Sequence, residues 1–229
     1  MRGIKLIQNN SKTIEEAFEE FQKHNSIRGL SEATITTYQS SYKVFAEYYD
    51  STELCSSLDI HVMNGFIVYL KENKEMNNTS MNIHLSSMRA FINYCIRLEY
   101  TPKFIVTMLK AEQTIKETYT ESELKILLKK PDVKKCNFVT YRSWVIINYL
   151  LGTGNRESTV VNIKIGDLDF DNDSIILKKT KNKRQQIIPI SNSLKIILLD
   201  YLKHRKGNNE DYLFCSITRR TIKHWCVKA

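Results

Sequence analysis

Apolar positions in the N-terminal part of the chain recur at alternating intervals of three and four, the spacing that gathers side chains onto one face of an α-helix. Thr13-Ile14-Glu15-Glu16 has the hydroxyl and carboxylate of a helix-start capping box, and Ile14, Ala17, Phe18 and Phe21 then share a face. A second stripe begins near Ser31 and runs Ile35, Tyr38, Tyr42, Phe45, Tyr49. A third is Ile60, Met63, Ile67, Leu70, and a fourth is Met81, Leu85, Met88, Ile92, Cys95. Four such helices bury their stripes by packing on one another as a small bundle. The Tyr and Met residues in the stripes are read as core rather than as a ligand box.

The pattern changes after Pro102. Residues 103–118 show little periodicity and are read as a linker, and a second capping box, Thr120-Glu121-Ser122-Glu123, opens the next domain. Tyr141–Leu151 is apolar on nearly all sides, as in a buried helix, and Gly152 supplies a stop. A short helical turn is expected from Glu157. Strand signals follow at Ile163–Ile165, Leu168–Phe170 and Ser174–Leu177, the last two separated by the turn residues Asp171-Asn172-Asp173. Gln186–Ile190 is a further β run, with Pro189 confining it to a sheet edge. Another helix resumes near Ser193, with Leu194, Ile197, Leu198, Tyr201 and Leu202 on its apolar face. The expected organisation is therefore an arm at 1–12, a helical domain at 13–102, the linker at 103–118 and an α/β domain at 119–229. The fold class is mainly α with a small β-sheet.

Composition narrows the function classes. Lys and Arg number 34 against 25 acids, a formal charge of +9, which favours a polyanionic partner over a neutral one. The five cysteines, Cys55, Cys95, Cys136, Cys215 and Cys226, form no C-x-x-C pair, and His24, His61 and His84 stand singly. Neither a zinc site nor a disulfide framework is expected, and reduced thiols fit a cytoplasmic setting. No apolar run approaches the ~18 residues that span a bilayer.

Two stretches carry candidate chemistry. Gly152-Thr153-Gly154-Asn155-Arg156 joins the buried helix to the short one. Its glycines permit a tight turn, and an Arg held there presents a rigid fork of donors that suits a phosphate. A purely structural turn would use the same residues. Lys178-Lys179-Thr180-Lys181-Asn182-Lys183-Arg184 has five cations and no acid between two strand patterns. Such a hairpin tip fits a nucleic-acid backbone, and equally a solvated loop.

The order of these features resembles the tyrosine recombinase (phage integrase) family: buried helix, Gly-Thr-Gly-Asn-Arg, short helix, strands, and a basic hairpin ending in Ile187-Ile188-Pro189-Ile190. Upstream, Arg28-Gly29-Leu30-Ser31-Glu32-Ala33-Thr34-Ile35 with Tyr38 and Phe45 is similar to that family's SAM-like core-binding domain, and Asp211-Tyr212-Leu213-Phe214 also fits. The resemblance runs from about residue 13 to the end. It implies site-specific cleavage and rejoining of double-stranded DNA through a 3′-phosphotyrosyl intermediate. It also implies no metal or other cofactor, no membrane, and self-association on DNA. Arg156 takes the role of gripping the scissile phosphate. A hairpin Lys eight residues before the strand Pro protonates the leaving 5′ oxygen, which points to Lys181, with Lys179 and Lys183 open if the register differs. Arg28, Lys43 and Arg89 in the helical domain and Lys178, Lys179, Lys183 and Arg184 at the hairpin are the expected DNA contacts.

Two departures qualify the resemblance. Many members carry a carboxylate three residues after the Arg, where this chain has Thr159; Glu157 and Asp167 are close but out of register. The family also uses a later His-x-x-Arg, a further His or Trp, and a nucleophilic Tyr. No His-x-x-Arg and no Tyr follows Phe214, and His224-Trp225-Cys226-Val227 departs from the motif. The catalytic domain is accordingly expected to be partial and the chain inactive alone, with a non-catalytic protein that occupies recombination sites as the alternative.

Overall fold

The computed structural model describes residues 11–111, 117–178 and 185–215. The chain forms two compact units that divide between Ile115 and Lys116.

The first unit contains α1 (Ile14–Ile27), α2 (Glu32–Ala46), α3 (Ile60–Glu72) and α4 (Asn78–Arg97). Each is started by the side chain just before it: Thr13 in a complete capping box, then Ser31, Asp59 and Asn77. These acceptors satisfy N–H groups that the first helical turn leaves without partners. The apolar stripes form the core. Met81, Leu85, Met88, Ile92 and Cys95 of α4 are all buried, as are Phe18, Phe21, Phe45 and Phe66 from the other helices. In α3 Phe66 is fully buried and Ile67 only partly so, a shift of one position from the expected stripe. Gly29 takes the left-handed conformation (φ +68°) and turns the chain sharply between α1 and α2.

The segment read as a linker begins packed on this unit. Val106 is buried, and the Asn82 amide of α4 pairs with Leu109 as a strand would, donating to its carbonyl at 2.8 Å and accepting its N–H at 2.9 Å. Asn78 donates to the Lys110 carbonyl.

The second unit contains α5 (Glu121–Leu127), α6 (Phe138–Thr153), α7 (Glu157–Val160), β1 (Leu168–Asp169), β2 (Ser174–Leu177), β3 (Gln186–Pro189) and α8 (Asn192–Arg205). The expected second capping box is present at Thr120 and Glu123. The strands form an antiparallel sheet in the order β1-β2-β3, with Leu177 opposite Gln186 and Ser174 opposite Pro189. In the core beside Ile175 and Leu177, Phe214 meets Tyr149 of α6 edge-on and Tyr201 of α8 at a tilt.

Two expectations are corrected. Ile163–Ile165 is not a strand of the sheet: it runs into a 3-10 turn at Ile165–Asp167, and Lys164 forms an isolated bridge to Tyr212. Ile163 is buried, which explains the apolar signal, but its carbonyl is taken by Leu213 N–H rather than by a neighbouring strand. The stop of α6 is Gly154, not Gly152: Gly154 holds φ +62° and donates to the Leu150 carbonyl, while Gly152 remains helical. Nothing lies within 4 Å of the position a Gly154 Cβ would take, so Gly154→Ala meets backbone strain without a clash. Chemical denaturation should show a loss of about 1–2 kcal/mol; an unchanged midpoint would mean that another residue sets the turn.

Among the described residues no helix is long and apolar enough to cross a membrane, and no group of His, Cys, Asp or Glu stands together to hold a metal ion.

Candidate active site

Arg156 sits at the N-cap of α7, with extended backbone (φ −71°, ψ 147°) and its carbonyl accepting the N–H groups of Thr159 at 2.8 Å and Val160 at 3.2 Å. The turn before it is locked from inside. Thr153 donates to the Tyr149 carbonyl at 2.7 Å, and Asn155 donates through its side-chain amide to the Tyr149 hydroxyl at 2.8 Å. Tyr149 is fully buried, so the turn hangs from an immobile anchor. The Arg156 side chain is exposed, and its guanidinium makes no hydrogen bond or ion pair among the described residues. A fork of five donors on a fixed turn, free of an internal acid, is what an oxyanion contact requires. The part played by Asn155 and Tyr149 was not legible in advance. Only the polar residue before the Arg hinted at it.

Three groups separated in sequence meet behind this turn. Thr159 of α7, Asp167 of the 3-10 turn and Lys178 at the end of β2 line one cavity of about 170 Å³, together with Asn162, Lys164 and Tyr212. Thr159 and Asp167 are buried. Asp167 Oδ2 accepts the Lys164 N–H at 2.9 Å, and Lys178 Nζ lies 2.7 Å from Oδ1. Lys178, expected as a DNA contact, is thus paired with a buried carboxylate. Lys179, Lys181, Lys183 and Arg184 lie outside the described residues.

The chain beyond α8 is fastened by two buried arginines. Arg205 donates to the carbonyls of Lys206, Tyr212 and Leu213, and Arg142 of α6 donates to Cys215 at 2.7 Å. Each meets backbone acceptors that burial would otherwise leave unsatisfied.

Three tyrosines of this unit are poor nucleophiles as they stand. Tyr141, Tyr149 and Tyr201 are buried, and burial pushes the Tyr149 phenol up to about 12. The Tyr141 and Tyr201 phenols are raised for the same reason, Tyr141 also by its hydrogen bond to Asp200. Tyr119 is exposed, and Tyr212 is half-buried, its backbone bridged to Lys164.

In the helical unit Arg28, Lys43 and Arg89 are all exposed. Arg28 follows α1, Arg89 lies on α4, and Lys43 borders a groove of about 540 Å³ between α1 and α2 that is also lined by Glu15 and Glu19. Those acids make the groove side of Lys43 mixed in charge rather than uniformly basic.

Comparison with known proteins bears on the fold and the family. The chain is 25% identical over 214 residues to tyrosine recombinase XerD of Oceanobacillus iheyensis, covering 88% of this chain and 70% of that protein. It is 26% identical over 209 residues to tyrosine recombinase XerC of Staphylococcus aureus strain MRSA252, covering 86% and 69% respectively. Among solved structures, the fold matches the Tn1549 transposon integrase in complex with transposon right end DNA at a TM-score of 0.75 and 18% identity, covering 93% of this chain and 74% of that one. It matches a lambda integrase tetramer bound to a Holliday junction at a TM-score of 0.70 and 16% identity, covering 97% and 65%. The phage integrase SAM-like domain model matches residues 9–114, and the phage integrase family model matches residues 117–228. The chain, helical unit and α/β unit alike, belongs to the phage integrase family of tyrosine recombinases.

Proposed function

We propose that this chain is the DNA-gripping portion of a site-specific recombinase: it holds duplex DNA and sets the scissile phosphate for attack by a tyrosine. The observation that carries this reading is Arg156, whose exposed guanidinium has no partner among the described residues and stands on a turn locked by Tyr149. In the reaction a tyrosine oxygen bonds to phosphorus, the bond to the 5′ oxygen breaks, and that oxygen leaves with a proton from a general acid. Arg156 stabilises the charge on the non-bridging oxygens. Lys181 supplies the proton. Arg28, Lys43, Arg89, Lys179, Lys183 and Arg184 neutralise backbone phosphates, which agrees with the formal charge of +9. The DNA-bound state of the structural relatives, one of them a tetramer, supports duplex DNA as the partner and self-association upon it.

In the α/β unit Tyr141, Tyr149 and Tyr201 are buried, which supports a nucleophile other than these three. The chain alone is expected to bind DNA without forming a covalent adduct on a nicked suicide substrate. Binding should weaken with salt, with a slope of log K against log salt of about −0.9 per phosphate contact. A slope near zero removes DNA as the partner. An adduct mapped to Tyr119, Tyr212 or any other tyrosine here removes the assignment of the nucleophile elsewhere.

A further inference from the structure

Arg156 is placed by its backbone. Its exposed guanidinium has no partner among the described residues, so no contact of the side chain itself fixes where it points. A long side chain without a partner has many rotamers to lose, and the precision of a phosphate grip then depends on how firmly its Cα is held. Downstream, α7 holds it: the Arg156 carbonyl accepts the N–H groups of Thr159 and Val160. Upstream, the chain is Gly152-Thr153-Gly154-Asn155. Gly154 stands at φ +62°, and nothing lies within 4 Å of the place a Cβ would occupy. A glycine in such open space permits the turn without enforcing it.

Tyr149 enforces it. Its carbonyl takes the Thr153 hydroxyl at 2.7 Å and its own hydroxyl takes the Asn155 amide at 2.8 Å, so one residue clasps the turn on both sides of Gly154. The Asn155 N–H reaches the Thr153 hydroxyl at 3.4 Å and closes the ring. The anchor is deep: Tyr149 is fully buried, with Phe214 edge-on to its ring at 5.6 Å between centroids. Local geometry does not call for an asparagine at position 155. Gly154 already fills the left-handed position that ends α6, and Arg156 is itself the N-cap of α7. Asn155 is half-buried, and among the described residues its side chain makes no hydrogen bond other than the one to Tyr149. We propose that Tyr149 and Asn155 are positioning residues for Arg156: the phenol holds the asparagine amide, and the asparagine holds the backbone from which the guanidinium meets the scissile phosphate. This rests on the reading of Arg156 as the phosphate contact.

The test uses the recombinase that carries this chain, with Tyr149→Phe, Asn155→Ala, the two combined, and each also placed in an Arg156→Ala background. Phenylalanine keeps the buried ring and removes only the oxygen that accepts the amide. Asn155→Ala breaks the same bond from its half-buried end, where a folding defect is not expected. Cleavage is measured at saturating DNA on a nicked suicide substrate, beside DNA affinity and thermal midpoint. Tyr149→Phe and Asn155→Ala should each slow cleavage about 10- to 100-fold, the scale of a small displacement of a catalytic group. DNA affinity should barely change, because a single phosphate contact is one of several that hold the duplex. The combined variant should be no slower than the slower single one, since both remove one bond. In the Arg156→Ala background neither substitution should slow cleavage further, because the group they position is gone; a merely structural defect would lower the rate there as well. Full rate in either single variant, additive losses in the combined one, a further loss in the Arg156→Ala background, or a loss that tracks weaker DNA binding or a lowered midpoint would each overturn the inference. If Arg156→Ala is slow while the two variants keep their rate, the positioning role alone falls. If Arg156→Ala cleaves at full rate, the phosphate contact falls and the positioning role with it.

Discussion

Arg156→Ala should lower DNA cleavage by about 10²–10³ in the recombinase that carries this chain, the usual loss when one preorganised donor to a developing oxyanion is removed. The guanidinium is exposed and unpaired among the described residues, so its deletion leaves no buried acid behind, and the thermal midpoint should barely move. Arg156→Lys should recover only part of the rate, since an ammonium is a point charge that cannot bridge two oxygens as a planar fork does. Sulfur at the bridging 5′ position should not rescue either variant, because the non-bridging oxygens carry their charge whichever atom leaves. A rescue would mean that Arg156 assists the leaving group. An unchanged rate would mean that the turn is structural.

Lys181→Ala should lower cleavage of ordinary DNA by about 10²–10⁴, the range for a lost general acid. An alkoxide is nearly as basic as hydroxide, whose parent water has a pKa of about 15.7, and it leaves badly without a proton. A thiolate, from a thiol of pKa about 8.5, needs no proton, so most of the loss should vanish with the sulfur substrate. Lys179→Ala and Lys183→Ala should mainly weaken binding. A sulfur rescue that tracks Lys179 or Lys183 would move the acid to that residue, and rescue of none would leave the hairpin as a binding tip.

Much of this architecture was legible because burial imposes a period. The α4 stripe from Met81 to Cys95 is buried at every expected position, and the capping boxes at Thr13 and Thr120 are both formed. Apolar pattern does not reveal which partner takes a backbone hydrogen bond. Ile163–Ile165 therefore read as a strand although its partner is the 211–213 segment and not the sheet. That Arg156 stands at the start of the short helix after a glycine turn was legible in the sequence. The glycine that ends α6 was misplaced by two residues, because either glycine of Gly-Thr-Gly satisfies the sequence rule and only the backbone angle separates them. The pairing of Asp167 with Lys178 spans eleven positions and joins a 3-10 turn to a strand end, a meeting that no local spacing encodes.

The clasp between Asn82 and Leu109 bears on where the helical unit can be severed. A fragment stopped at Pro102 would strip the cover from its core where Val106 lies and leave both ends of the Asn82 amide without protein partners. Val106, Leu109 and Lys110 behave as a last, helix-free layer of the bundle. An excised piece that retains its native density must keep them, so the natural cut falls beyond Lys110 even though the helices end at Arg97.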